Sequence, residues 1–350
     1  VPTNVIDITA GGNTTIPFDT FFTATIKNFK KGLEKNFLDY RPVVSVMMDN
    51  YKKTDTAGGR IYQTSAAYGY NSTTKWFQGA ETFDQTPAQT ALPLIYQWFY
   101  LGSAVSTTRT EQVENRGKVA LFNILQSRID QAMRTMTTDL GTALYGDGSG
   151  FNNLAPVGLA GMISTTPTVD LTPRPVGGLS ATNVWWRNNA VTSFGSFAAN
   201  GVKGTSQDLV YSTMNLCTDG AVKRPKVILS AQDVAGYYNQ TNLGIVRYID
   251  VPGQKADLTF QGENGSSGQF IRGLYYEGIP WIWDRQCPSG RMYMFDPEDF
   301  FVTTDPSMFF EWTDNLQYPY QLAWGKIVSL RLSVCAVARM FGAVLDGITA

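Results

Sequence analysis

Residues 94–148 read LIYQWFYLGSAVSTTRTEQVENRGKVALFNILQSRIDQAMRTMTTDLGTALYGDG, and two different periodicities meet in this passage. In its first part Leu94, Tyr96, Trp98 and Tyr100 recur at period two, which lines large side chains along one face of a strand running to Val105. Thr108-x-x-Glu111 then forms a capping box, in which each side chain satisfies the other's free backbone N–H at a helix start. From there Phe122, Leu125, Ile129, Met133, Met136, Leu140 and Leu144 make a stripe at helical period. The pattern predicts a helix from 108 to about 145, stopped by Gly146 and Gly148, with Gly117 and Gly141 as the places where it would bend or break. At about 1.5 Å per residue it would span roughly 55 Å and serve as a spine.

Working outward, residues 60–70 are strand-like, and a Gly-, Pro-, Thr- and Asp-rich middle separates them from residues 94–105. This predicts a long β-hairpin, and a two-stranded hairpin is marginal in water unless it rests on a partner surface. Residues 43–48 read as a buried strand, and residues 52–59 as a polar, Gly-ended turn. Further upstream, Phe22, Ile26, Phe29, Leu33 and Phe37 predict an amphipathic helix. Its Lys27, Lys30, Lys31 and Lys35 form a wet face or, on a sharper reading, a contact with an internal polyanion. Residues 1 to about 20 read as an extended arm with little core of its own.

Downstream, residues 151–204 are loop-rich, with Pro156, Pro167, Pro173, Pro175 and the pair Trp185-Trp186. A helix is expected after Thr205, capped by Asp208, stopped by Gly220, with Leu209, Thr213 and Leu216 on one face. Residues 226–229 read as a short buried strand feeding a helix capped by Ser230-x-x-Asp233. Strands follow at 279–283, 291–295 and 300–303, and residues 326–340 alternate Val328, Leu330, Leu332, Val334 and Ala336. The class is α+β.

Composition narrows the function. At 350 residues and 43% hydrophobic, the chain is globular and large enough for two lobes plus extended excursions. Its 28 basic and 29 acidic residues give none of the single-sign field of a dedicated nucleic-acid binder. Cys217, Cys287 and Cys335 have neither disulfide-framework nor zinc-site spacing, and the compartment reads as reducing. No apolar run is long enough to span a bilayer. A chain that starts on Val is expected to have lost an initiator Met or a longer leader.

The absence of histidine removes the commonest general base and metal ligand, and every His-dependent triad. Gly146-Asp-Gly-Ser-Gly150 follows a helix and lacks the ending of a phosphate loop, so it reads as a helix stop. Asp147 and Ser149 lack the further acids of a calcium loop. Asp284, Asp296, Glu298, Asp299, Asp305, Glu311 and Asp314 are interleaved with Trp281, Trp283, Trp312 and Tyr318, a mixture that a glycosidase uses. The plainer reading is acids of turns and edge strands set between buried rings. No catalytic, cofactor or metal residue is expected.

The order of arm, hairpin, spine helix and mixed α/β lobe resembles the Hong Kong 97 fold of tailed-bacteriophage major capsid proteins. Local stretches resemble one group of them: Gly58-Gly59-Arg60-Ile61, Trp76-x-x-Gly79, Asp84-x-x-Pro87, Tyr96-x-Trp98, Asn115-x-Gly117 and Leu144-Tyr-Gly-Asp-Gly148. So do Val157-Gly-Leu159, Ala181-Thr-Asn183 with Trp185, and Gly278-Ile-Pro280 leading to Asp284. The resemblance implies an N-terminal arm at 1–45 and an extended loop at 46–107. It implies a peripheral domain at 108–204 and 296–330, holding the spine helix, and an axial domain at 205–295 and 331–350. Hexamers and pentamers of the chain would close an icosahedral shell around double-stranded DNA, with portal, scaffolding and decoration proteins as further partners. The virion would be its place, after assembly in the bacterial host cytoplasm. Arg60, Lys75, Trp76, Glu81 and Asp84 are expected to contact an adjacent subunit. Some relatives join a hairpin Lys to a neighbour's Asn; Lys75 is suitably placed, though an ordinary salt bridge is the expectation. Two other readings stay open: an encapsulin-type cellular shell on the same fold, and a carbohydrate-active enzyme using Asp284 or Glu298.

Overall fold

The capping box closes as its spacing requires. Thr108 N–H donates to Glu111 Oε2 at 3.1 Å, and Glu111 N–H donates to Thr108 Oγ1 at 3.3 Å. This computed structural model describes residues 41–49, 52–53, 59–69, 73–84, 86, 89–114, 118–172, 174–200, 208–219, 223–242, 260–261, 267–268, 274–314, 316–317 and 323–350. The expected arm up to residue 40, with its 22–37 helix and lysines, lies outside them.

Over the range where one long helix is expected lie α2 (Arg109–Glu114) and α3 (Lys118–Tyr145), after α1 (Pro42–Asp49). Gly117, a predicted bend, lies outside the described residues. Leu125, Ile129, Met133, Met136, Leu140 and Leu144 are buried as the stripe predicts, each contributing on the order of 1.5–3 kcal/mol. The helix ends at Tyr145, and Gly158 N–H donates to Gly146 O at 3.1 Å as the chain turns back. A Cβ on Gly158 would lie 2.3 Å from the Leu144 carbonyl oxygen, so only glycine admits this crossing.

Helix α1 corrects the sequence reading of residues 43–48 as a strand. Val43, Val44, Met47 and Met48 are fully buried, and a short all-apolar run suits a buried helix as well as a buried strand. Pro42, which lacks an N–H, sits at the first helical position. The Val43 N–H finds its acceptor far away, in Asp284 Oδ2 at 3.3 Å.

Among the described residues, two two-stranded pairings join Gly195–Ser196 to Ile348–Thr349 and Phe260–Gln261 to Ser267–Gly268, and thirteen further strands build the two larger sheets and the hairpin, which share one hydrophobic core. In chain order they are β1 (Lys52–Lys53), β2 (Ile61–Ala67), β3 (Ala91–Gln97), β4 (Phe99–Thr108), β5 (Asn189–Val191), β6 (Val227–Ser230), β7 (Tyr275–Tyr276), β8 (Ile279–Trp283), β9 (Met292–Phe295), β10 (Phe300–Trp312), β11 (Leu316–Gln317), β12 (Ala323–Ala336) and β13 (Ala343–Leu345). In one five-stranded sheet β12 lies between β10 and β4, with β1 on the far edge of β10 and β11 beside the start of β12. A six-stranded sheet runs β7, β8, β6, β9, β13, β5. Its β6 lies between parallel β8 and antiparallel β9 and is buried along its whole length, which explains its continuous apolar run.

The hairpin is shorter than the expected 60–105, because the return strand changes partner. Strand β3 pairs β2 from Ile61↔Gln97 to Ala67↔Ala91, and beyond Trp98 strand β4 pairs β12 instead. Leu94, Tyr96 and Trp98 are buried on one face as expected, whereas Tyr100 is exposed where it pairs Arg331. Strand β10 outruns its expected end at 303 by means of a bulge: Thr304 pairs Leu332, and Phe309 is the next to pair, with Leu330. Pro306, which cannot donate, lies inside the interruption.

Two further readings need correction. Helix α4 (Leu209–Leu216) is capped by Asp208, which accepts from Tyr211 N–H, but it buries Val210, Thr213 and Met214, and Leu216 is exposed. Helix α5 (Gln232–Asn242) follows β6 as expected, but Ser230 does not cap it. The Ser230 hydroxyl instead accepts from Trp281 Nε1 at 2.6 Å, and Asp233 binds Ser289 and Gly290. Among the described residues no helix is long and apolar enough to cross a membrane.

Candidate assembly surface

The β2–β3 hairpin stands on the body through one face. Cross-strand pairs Tyr62–Tyr96, Thr64–Leu94 and Ala66–Leu92 lie inward, and the alternate residues, Ile61 and Ile95 among them, face solvent. At its root, Tyr96 Oη donates to Ala336 O at 2.5 Å, Ser333 Oγ donates to Gln97 O at 2.9 Å, and Arg331 donates to Gly59 O at 2.5 Å. The expectation that the hairpin needs a partner is thus met in part by its own chain.

The tip is different. Lys75 Nζ reaches Glu81 Oε2 at 3.0 Å and Thr82 O at 2.8 Å, and lies 5.2 Å from the centre of the Phe83 ring. Phe77 meets Phe83 edge-on with centroids 5.1 Å apart. The Lys75–Glu81 pair is open to water, so it shapes the turn more than it stabilises the fold. Asp84 accepts from both Thr86 N–H and Thr86 Oγ1, at 2.9 and 2.6 Å, and these bonds hold its carboxyl below the usual range. Around this frame Trp76 is 101% exposed, Phe77 62% and Phe83 47%. An organised turn that presents three aromatic rings to water has the composition of an interface.

Of the five residues expected to contact a neighbour, the tip brings together Lys75, Trp76, Glu81 and Asp84. Arg60 lies exposed at the root, away from that turn. Lys75 pairs with Glu81 and Asp84 with Thr86 inside the chain, which leaves Trp76 and Arg60 facing outward. Sequence reasoning missed Phe77 and Phe83, although Phe77 lies inside the Trp76-x-x-Gly79 stretch and Phe83 directly precedes Asp84-x-x-Pro87. It also missed Phe151 and Leu154, which stand 66% and 73% exposed beside an open groove of about 310 Å³ between β4 and α3.

Five of the seven acids near the C-terminal strands are held by structural partners. Asp284 accepts from Val43 N–H, Tyr145 Oη and Gln286 N–H. Asp296 and Glu298 share Lys226, at 3.2 and 2.7 Å, and Asp299 takes Lys223 at 2.7 Å. Burial raises the Asp299 carboxyl against the opposing pull of Lys223. Asp305 takes Arg331 at 2.6 Å together with the Ser307 amide and hydroxyl. Of the rings interleaved with these acids, Trp281 is buried, Trp312 is half-buried and Trp283 is 44% exposed, and Tyr318 lies outside the described residues.

No family model and no curated protein sequence matches this chain. Solved structures do. The capsid asymmetric unit of cyanophage A-1(L) aligns with a TM-score of 0.60 at 14% identity, over 88% of this chain and 93% of that one. The chain has the fold of a phage capsid subunit. A structure from Mycobacterium phage Bobi aligns at 0.51 and 8% identity, covering 88% and 90% of the two chains. A procapsid of satellite phage P4 that includes the size-determination protein Sid aligns at 0.50 and 10%, covering 91% of each. The Hong Kong 97-type α+β architecture expected from the sequence is the one observed.

Proposed function

We propose that this chain is the major shell-forming subunit of a tailed-bacteriophage head, a structural protein and not an enzyme. It associates with copies of itself as hexamers and pentamers that close around double-stranded DNA. The carrying observation is the exposed aromatic tip on an anchored hairpin, set on a capsid-type fold: the surface is costly in water and useful only when covered. Such contacts are heterologous, one patch meeting a different patch on the next copy, and heterologous contacts close rings. Near-neutral charge suits a wall that encloses DNA without gripping it.

On this reading residues 1–45 are the arm and residues 46–107 the loop, with Arg60, Lys75, Trp76, Glu81 and Asp84 touching the neighbour. The peripheral domain, 108–204 and 296–330, holds α3, β10 and β11, the axial domain, 205–295 and 331–350, holds β6 to β9 and β13, and β12 passes from the first to the second. Portal, scaffolding and decoration proteins complete the particle, which assembles in the host cytoplasm.

Negative-stain microscopy of the purified protein over rising concentration tests the proposal. Rings of five or six subunits, or closed shells, are expected. A compact monomer at the highest concentration overturns the reading, and shells that carry enzyme cargo in place of DNA overturn the phage assignment.

A further inference from the structure

We infer that the stack of Tyr68 on Trp185 fixes the direction in which the hairpin tip leaves the body, so that the free subunit carries its tip already aimed. The inference deepens the proposed function and rests on it for the consequence in assembly, while the geometry stands by itself.

The inner face of the hairpin forms a seam with a bracket made by residues 174–187. Leu94, Tyr96 and Ala66 are buried along that seam, and the next inward position on β2's extension is Tyr68, two residues on from Ala66. Its ring lies 4.9 Å from the Trp185 ring at an interplanar angle of 22°. Tyr68 N–H closes the ladder on Thr90 O at 2.9 Å, so the stack sits where regular pairing ends and the tip begins. Beyond it, the Lys75, Phe77 and Asp84 contacts are made within the tip itself.

The bracket is built to hold position. Trp186 Nε1 donates to Val176 O at 3.2 Å, and Arg187 Nε donates to Ala181 O at 2.6 Å. Asp170 accepts from Ser180 Oγ at 2.9 Å and from Ala181 N–H at 2.5 Å. Gly177 has φ +64, and a Cβ there would lie 2.9 Å from Leu94 Cδ2 and 3.1 Å from Tyr96 Oη, so bracket and hairpin meet without slack. Trp186 is the buried anchor, whereas Trp185 beside it is only half-buried. An aromatic pair kept for core packing would be hidden; this one lies at the pivot. Two strands alone bend readily, and a small rotation at the pivot moves the whole tip.

The experiment places spin labels at Thr82→Cys on the tip and Gln131→Cys on α3, and measures their distance distribution in the unassembled full chain. The three native cysteines are buried and do not compete for the label. A single narrow distribution is expected for the parent. Trp185→Ala and, independently, the less intrusive Tyr68→Ala should broaden it at least twofold, and Trp185→Phe should restore it. The concentration needed for shells should rise about two- to tenfold in the alanine variants, the range that one stacked pair can hold, while the thermal midpoint falls by only a few degrees. An unchanged distribution in Tyr68→Ala overturns the inference, and so does a broadened one with unchanged assembly. If the parent chain forms no shells, the proposed function falls, and the distance widths still decide whether the stack aims the tip.

Discussion

Tyr96 and Ala336, 240 positions apart, are joined twice through one hydroxyl: Tyr96 Oη donates to Ala336 O at 2.5 Å and accepts from Ala336 N–H at 3.2 Å. The root of the hairpin is thereby tied to the end of the longest strand. Tyr96→Phe keeps the ring and removes both bonds inside a dry site, where an unpaired polar group costs about 1–3 kcal/mol. The urea midpoint should fall accordingly at constant slope. Burial pushes the Tyr96 hydroxyl well above its ordinary value of 10.0. Its contribution is therefore whole below pH 10 and declines as the pH rises above it. Tyr96→Phe should narrow its stability gap to the parent in that alkaline range; a gap that widens there excludes the assignment.

Arg331 stabilises the bulge in β10 from the neighbouring strand. Its guanidinium meets Asp305 at 2.6 Å and lies over the Trp98 ring, 4.6 Å from the centre. Burial opposes the charge on Asp305, but the Ser307 hydroxyl and amide and Arg331 outweigh it and lower its carboxyl. Asp305→Ala strands a buried cation and should cost on the order of 3–5 kcal/mol. Adding Arg331→Met to that variant should recover part of the loss. A double variant less stable than Asp305→Ala by the full single-variant cost of Arg331→Met would show that the two residues act independently.

Glu111 joins α2 to the interior of α3. Arg128 reaches its two carboxyl oxygens at 3.0 and 2.5 Å and the Ser106 carbonyl as well. The Arg128 bond, then the Thr108 amide, hold the Glu111 carboxyl down at about 2, against an ordinary 4.5. The folded state therefore binds its proton later than the unfolded chain. The stabilisation is whole above pH 4.5 and disappears as the pH falls toward 2. Carboxyl carbon shifts followed by NMR should place the Glu111 midpoint near 2, and Arg128→Gln should return it toward 4.5. A parent midpoint already at 4.5 would show that the clamp is open in solution.

What could be read in the sequence follows how local each interaction is. Thr108 with Glu111, the stripe from Leu125 to Leu144 and the alternation from Leu94 to Trp98 are set by neighbours a few positions away. Their patterns survive in one dimension. Helix α1 was legible only as apolar, because Val43, Val44, Met47 and Met48 are buried on all sides and its end is satisfied by Asp284 from 241 positions downstream. Tyr100 departs from its alternation because the strand changes partner at Trp98, an event with no local mark. Within the candidate surface, Lys75, Trp76, Glu81 and Asp84 were legible as a cluster by adjacency. That Lys75 would spend its charge on Glu81, leaving Phe77 and Phe83 to face water, depends on how the turn closes.

Trp76, Phe77 and Phe83 separate the stability of the subunit from the stability of the shell. Exposed side chains contribute within about 0.5 kcal/mol to folding, whereas aromatic anchors at the centre of an interface are worth about 2 kcal/mol or more each. Replacing all three by Ser should leave the thermal midpoint of the monomer within about 2 °C of the parent, since a domain this large moves only a few degrees per kcal/mol. Assembly repeats the contact in every subunit of a closed ring, so a loss of that size per contact compounds around the ring. Light scattering should then detect no particles at concentrations where the parent forms them. Deleting residues 71–90 should give the same soluble, folded and unassembled chain. If the triple-Ser variant builds normal shells, the rings face solvent in the particle too, and the tip is not the surface that joins one subunit to the next.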